Sequence, residues 1–167
     1  SQGAKKINEI FYESIDFLIK QNFRIVHIIG ENNPKNLVKL KSNNYVQKKF
    51  TNQIASLMQN CELVISRSGA GTINELIQTG KPSILIPYPN SKNNHQEKNA
   101  MILSSIGGAI LMNQNQISKL FFEETLKRIL KFKLKKGKPK YEILDSMKEN
   151  IKNLDTLKST NEIKKLI

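Results

Sequence analysis

Apolar positions along this chain follow two rhythms. Short unbroken runs, Leu63-Val64-Ile65, Ile84-Leu85-Ile86 and Ala109 to Met112, have the length and composition of buried strands. Phe23 to Ile29 (FRIVHII) is a fourth, ended by Gly30, and Tyr45 to Phe50 a fifth with a basic exposed face. Elsewhere apolar residues return every three or four positions, as on one side of a helix. Lys5 to Lys20 shows this through Ile7, Ile10, Phe11, Ser14 or Ile15, and Leu18. A segment through Met58, capped by Thr51 or Asn52, shows it through Ile54 and Leu57, and Gln116 to Leu130 shows it behind a Ser118 cap. Lys35 to Leu40 predicts a short helix, and Tyr141 to Ile167 one or two polar helices that close the domain. Strand alternating with helix predicts an α/β fold around a parallel sheet. The opening Ser1-Gln2-Gly3-Ala4 is a turn that leads into a helix, where a strand ordinarily comes first. The reading is therefore of a piece of a longer protein, its first strand lying before Ser1.

In such sheets ligands bind beyond the carboxyl ends of the strands. Two loops fall there: Arg67-Ser68-Gly69-Ala70-Gly71-Thr72 and Tyr88 to Gln96. Gly69 and Gly71 let backbone approach a ligand closely. Thr72 with Glu75 reads as a T-x-x-E capping box, and a helix start behind a Gly-rich turn can hold an anion such as phosphate. The same box can be a cap and nothing more. Asn90 to Gln96 is dense in hydrogen-bonding side chains, with His95-Gln96 opening the next helix. His95 is either a ligand contact or a solvent-facing helix-start residue. His27, inside an apolar strand, reads as a satisfied core histidine, and Cys61 as a packing residue.

Composition narrows the classes. The 167 residues suffice for one domain with a real core, and one cysteine precludes an internal disulfide. No apolar run approaches the length of a membrane span. The net charge of +13 favours anionic partners: phosphorylated substrates, lipid headgroups or nucleic acid. Eight Lys or Arg and no acid lie between Lys127 and Lys140, either a solvated helix end and loop or a patch for anionic lipid. Only Phe132 and Tyr141 interleave aromatics near that run, so a nucleic-acid groove is not expected.

The ordered motifs R-S-G-A-G-T-x-x-E, G-K-P, I-P-Y-P and H-Q-x-x-N-A resemble the donor-sugar half of the MurG family, bacterial transferases that add N-acetylglucosamine to a lipid-linked muramyl-pentapeptide. They stand here as Arg67 to Thr72 with Glu75, Gly80-Lys81-Pro82, Ile86 to Pro89, and His95-Gln96 with Asn99-Ala100; Ser1 to Ala4 is similar to the end of that family's first glycine loop. The resemblance is specific to about Met112 and looser beyond.

It implies a Rossmann-like three-layer α/β domain, the C-terminal half of a GT-B glycosyltransferase, with residues 1–167 as a single UDP-sugar-binding domain. Glu75 would take the ribose hydroxyls. Thr72 and the backbone of Gly71, with Ser1 and Gly3, would hold the diphosphate, with neither metal nor cofactor. His95, Gln96 and Asn99 would face the sugar and the adjacent phosphate, and Arg67 would support the phosphate loop or make a structural salt bridge. No general base presents itself, so the base and the lipid-linked acceptor are expected in an N-terminal domain that this chain lacks. The implied setting is cytoplasmic and peripheral, on the inner face of the cell membrane. Three other readings compete. A separate subunit of a dolichol-linked UDP-N-acetylglucosamine transferase shares Gly69 to Thr72 and Asn94 to Gln96. A dinucleotide-binding dehydrogenase needs a glycine where Asn74 stands. A basic non-enzymatic binding module leaves the two polar loops unexplained.

Overall fold

A computed structural model describes residues 4–31, 44–131, 133–135 and 138–159. Ser1, Gly3 and the helix expected over Lys35 to Leu40 lie outside the described residues. In chain order the elements are α1 (Lys5–Glu13), α2 (Ile15–Lys20), β1 (Ile25–Ile28), β2 (Tyr45–Lys48), α3 (Ile54–Gln59), β3 (Val64–Ser66) and α4 (Ala70–Thr79). There follow β4 (Ser83–Leu85), α5 (His95–Ser104), β5 (Ala109–Leu111), α6 (Lys119–Ile129), β6 (Lys133–Lys135), β7 (Lys138–Lys140) and α7 (Glu142–Ser159).

All three strands of the sheet β3-β4-β5 run parallel, and β4 lies in the middle. A central parallel strand is covered on both faces, which is why its sequence is apolar without alternation. Ser83, Ile84, Leu85 and Ile86 are fully buried. Successive side chains nevertheless point to opposite faces. Ile84 and Ile86 join the cluster of Ile10, Leu18, Phe122 and Leu126 from α1, α2 and α6. Leu85 joins the cluster of Leu76, Leu103 and Ile151 from α4, α5 and α7. Helix, sheet, helix: the domain is a three-layer α/β/α sandwich, as expected. The parallel pair β1 and β2 shares the first cluster through Ile25 and Tyr45.

Between α4 and β4 the G-K-P motif has a structural account. Gly80 takes the left-handed conformation (φ 62°) that ends α4, with Lys81 N–H reaching back to the Leu76 carbonyl. The Lys81 ammonium caps the end of α3 through the carbonyls of Gln59 and Cys61.

Four expectations are corrected. Lys5 to Lys20 is two helices, broken at Ser14, whose N–H is shared between the carbonyls of Ile10 and Phe11 and whose buried hydroxyl has no partner. Neither Thr51 nor Asn52 caps α3; the Thr51 hydroxyl accepts from the N–H of Gln53, making a tight turn ahead of a helix that starts at Ile54. The outward side of β2 is mixed where a basic face was expected: Val46, opposite Val26 and like it about half exposed, shares that side with Lys48. The segment after α6 is an antiparallel hairpin of β6 and β7 instead of a loop.

His27 is the satisfied core residue expected. Its Nε2 bonds Asn8 Oδ1 at 3.0 Å and its Nδ1 bonds the Tyr45 hydroxyl at 3.1 Å. Asn8 donates its amide N–H to the Ile29 carbonyl, which makes Oδ1 the acceptor and puts the histidine proton on Nε2. Burial lowers the His27 pKa to about 4.

Candidate functional site

Because β3 and β4 are parallel neighbours, the loops at their carboxyl ends lie side by side. The structure ties them together. The Ser68 hydroxyl, fully buried, donates to the Gln96 carbonyl at 2.7 Å, and the Asn99 amide donates to the Ser68 carbonyl at 3.1 Å. The Gln96 side-chain oxygen accepts the N–H of Tyr88 at 2.9 Å, and the Ser91 hydroxyl accepts the N–H of Gln96 at 3.3 Å.

On the β3 side, the expected Thr72 cap is not formed. Gly69 holds the extended conformation of an N-cap (φ −63°, ψ 151°), so α4 starts at Ala70, and Thr72 is its third residue instead of its cap. Neither Gly69 nor any other side chain caps this helix, and the N–H groups of Ala70, Gly71 and Thr72 have no acceptor among the described residues. A Cβ placed on Gly69 or Gly71 would meet nothing within 4 Å, and neither has a positive φ. Packing and backbone conformation therefore give no reason for glycine at either position. Thr72 and Glu75 are three residues apart, hence on one face of α4. The Glu75 carboxylate is half-buried and lacks an ion-pair or hydrogen-bond partner among the described residues, in a chain of net charge +13.

On the β4 side, Asn93 and Asn94 both take the left-handed conformation (φ 52° and 53°), which asparagine tolerates better than most residues. They turn the chain into α5 at His95. The His95 Nδ1 bonds the Lys92 carbonyl at 2.6 Å. A carbonyl only accepts, so Nδ1 carries a proton, and Nε2 has no partner among the described residues. The same division recurs in its neighbours: Gln96 spends its oxygen on Tyr88 and keeps its amide nitrogen, while Asn99 spends its nitrogen on Ser68 and keeps its oxygen. Each residue is fastened by one atom and presents another.

Arg67 is held by hydrogen bonds and a ring contact in place of the salt bridge. Its guanidinium donates to the carbonyls of Ile86 and Pro87 at 2.9 and 3.0 Å and to the Gln114 side chain at 2.5 Å, and it lies 5.5 Å from the Tyr88 ring centre. It makes no salt bridge among the described residues. Burial lowers its pKa, yet a guanidinium stays charged. Arg67 thus locks together the ends of β3, β4 and the loop after β5.

Comparison with known proteins gives the lineage. The family described as "Glycosyltransferase family 28 C-terminal domain" matches residues 1–155. The chain belongs to this family. It is 97% identical over all 167 residues to a Prochlorococcus marinus subsp. pastoris protein named UDP-N-acetylglucosamine--N-acetylmuramyl-(pentapeptide) pyrophosphoryl-undecaprenol N-acetylglucosamine transferase. A Synechococcus protein of the same name is 33% identical over 154 residues, covering 92% of this chain and 43% of that protein. The chain spans 46% of the length of the Prochlorococcus protein, about half. Among solved structures, MurG of Acinetobacter baumannii superposes with a TM-score of 0.69 at 21% identity, over 92% of this chain and 43% of that one. That likeness supports the GT-B type of α/β fold.

Within this family 28 domain, the structure brings Arg67, Gly71, Thr72, Glu75, His95, Gln96 and Asn99 to the adjoining loops and helix starts at one edge, while Ser1 and Gly3 lie outside the described residues. Two contributors were missed. Ser68 is the buried staple between the loops, and nothing in R-S-G-A-G-T separates it from its neighbours. Tyr88, 43% exposed beside Arg67, comes three residues after the end of β4 and could have been found as an aromatic just past a strand's carboxyl end.

Proposed function

We propose that this domain is the donor-binding half of an inverting N-acetylglucosaminyltransferase that uses UDP-N-acetylglucosamine and builds the lipid-linked disaccharide precursor of peptidoglycan. The observation that carries it is the matched set of unspent groups: three backbone N–H groups at the start of α4, the carboxylate of Glu75, and the free sides of His95, Gln96 and Asn99. A nucleotide sugar needs these groups in this mixture. The amides and Thr72 hydroxyl would hold the diphosphate and stabilise the charge that grows on it as the glycosidic bond breaks. Glu75 would accept from both ribose hydroxyls. His95, Gln96 and Asn99 would grip the sugar hydroxyls and neighbouring phosphate. Ser1 and Gly3 would complete the diphosphate site.

The acceptor hydroxyl would attack the anomeric carbon from the side opposite UDP, giving up its proton to a base. That base and the lipid-linked acceptor site would come from the N-terminal half of a full-length protein, so this half alone would bind donor without turnover. Its place would be the cytoplasmic face of the cell membrane, held peripherally; among the described residues no helix is long and apolar enough to cross it. The relatives carry the undecaprenol acceptor in their names, so a dolichol-linked enzyme gains no support.

Calorimetric titration of the full-length protein with UDP-N-acetylglucosamine, with UDP-glucose and NAD as controls, tests the reading. Selective binding that Glu75→Ala weakens strongly is expected. Equal binding of all three ligands, or binding indifferent to Glu75→Ala, would overturn it.

A further inference from the structure

At the carboxyl end of β3, the Ile86 N–H donates to the Ser66 carbonyl at 2.9 Å. Past that bond the two chains part, and among the described residues no backbone–backbone hydrogen bond links 67–69 to 87–99. Side chains join them there. Arg67 reaches only the strand end, through the carbonyls of Ile86 and Pro87. Ser68 reaches α5, and does so twice: its hydroxyl donates to the Gln96 carbonyl at 2.7 Å, and its carbonyl accepts from the Asn99 amide at 3.1 Å. The next residue along the chain is Gly69, the extended residue at which α4 begins. One residue therefore sets the start of α4, with its unspent N–H groups, against the start of α5, with His95, Gln96 and Asn99.

Core packing does not account for this hydroxyl. Ser14, Ser68 and Ser83 are all fully buried, yet the hydroxyls of Ser14 and Ser83 have no partner. Of the three, Ser68 uses its hydroxyl, and uses it across the two loops. The bond also adds little to the fold. Farther along, Ile73, Leu76 and Ile77 of α4 share one apolar cluster with Ala100 and Leu103 of α5, which holds the two helices together. The Gln96 carbonyl belongs to the second residue of α5, where the helix ladder already supplies the N–H of Ala100. Removing the Ser68 hydroxyl thus orphans no polar atom. What it removes is the register between two helix starts.

We propose that Ser68 is a positioning residue, whose buried hydroxyl aligns α5 with α4 so that Gln96 and Asn99 meet the donor's sugar while α4 holds its diphosphate. The proposal rests on the reading of these loops as a nucleotide-sugar site, and it gives Ser68 no contact with the ligand. Its consequence is a division of effects. Groups on α4 keep their grip when the bond is lost. Groups on α5 lose theirs, because hydrogen bonds weaken steeply away from a narrow range of distance and angle.

Calorimetry on the full-length protein with UDP, UDP-N-acetylglucosamine and UDP-N-acetylgalactosamine reads that division, since the two sugars differ only in the orientation of one hydroxyl. In Ser68→Ala the preference for UDP-N-acetylglucosamine over its epimer falls about tenfold, while affinity for UDP stays within about twofold. The melting temperature stays within about 3 °C. Ser68→Cys, similar in shape with a weaker donor, falls between serine and alanine. Adding Ser68→Ala to Gln96→Ala with Asn99→Ala lowers the preference no further, because the groups it acts through are gone. An effect undiminished in that triple variant overturns the proposal and puts Ser68 on the ligand itself. So does a large drop in melting temperature in both Ser68 variants with UDP affinity falling in step, which makes Ser68 part of the fold. A wild-type protein indifferent to the epimers removes the sugar site and the proposal together. A wild-type preference that Ser68→Ala retains removes the proposal alone.

Discussion

The chain holds two polar clusters, each built on a histidine, and they are satisfied in opposite ways. Around His27 the ring nitrogens, both ends of the Asn8 amide and the hydroxyls of Tyr12 and Tyr45 are all spent inside the domain, with Gln47 bridging the two tyrosines. Around His95 each side chain spends one atom on the backbone of its own or the adjoining loop and leaves another without a protein partner. A polar group with all its bonds made inside holds structure; one with a bond left over and an open approach can hold a ligand. Polarity alone does not separate the two. The accounting of bonds does.

Breaking the first cluster has the largest expected effect on stability. His27→Ala removes a ring packed 4.2 Å from that of Phe11 and leaves Asn8 Oδ1 and the Tyr45 hydroxyl without their partner. Lost packing and buried unsatisfied groups together predict a loss of about 3 kcal/mol in urea unfolding. Donor affinity of the protein that remains folded changes little. A loss under about 1 kcal/mol would mean that water takes over the network.

Acid probes the same cluster without mutation. Burial holds the His27 pKa at about 4, below the ordinary 6.5, so the unfolded chain takes up this proton first as pH falls. The contribution to stability is complete above pH 6.5 and declines through the interval down to 4, by about 3 kcal/mol in all. Urea midpoints at pH 7, 5.5 and 4.5 would trace the loss, and His27→Phe should remove this part of the pH dependence. An unaltered slope in that variant would place the titration elsewhere.

Breaking the second cluster should do the reverse: affinity falls and the fold stays. Glu75→Ala removes a carboxylate with no protein partner, so unfolding free energy should shift by less than about 0.5 kcal/mol. Losing charge-assisted bonds to the ribose should weaken UDP-N-acetylglucosamine binding by about tenfold to a hundredfold. Calorimetry with thermal unfolding on the same sample reads both. A stability loss matching the affinity loss would make Glu75 a structural residue.

How far the sequence reveals this depends on whether a feature is local. The strand runs are local, and they stand within a few residues of where their patterns put them. The T-x-x-E pattern at Thr72 is also local, yet the helix is capped three residues earlier, at Gly69. The end of β3 and the extended Gly69 decide where the helix begins, and a capping pattern carries no record of that. Ser118, with no acid three residues on, is a true cap, accepting from Phe121 N–H. Asn8 is a polar residue on an apolar helix face until it meets His27, nineteen residues away, and no spacing rule pairs them. The hairpin was legible in principle, since K-L-K and K-P-K alternate around Gly137, but its charge suggested solvent before its period suggested a strand.

The smallest expected change is the sharpest test of the accounting. Gly71 is inside α4, its φ is not positive and a Cβ there meets only open space, so the fold has no use for glycine at this position. Alanine is the better helix former by up to about 1 kcal/mol in a helix interior and by less this close to the start. Gly71→Ala should therefore raise the stability of the domain slightly, by about 0.5 kcal/mol. If the glycine is there so that a diphosphate can lie against the backbone N–H groups, the added methyl holds it away, and donor affinity drops about tenfold. A variant that gains stability and loses affinity separates the two demands on one residue. Equal affinity with the same gain would free Gly71 of any part in the site and leave the diphosphate to Thr72 and the first glycine loop.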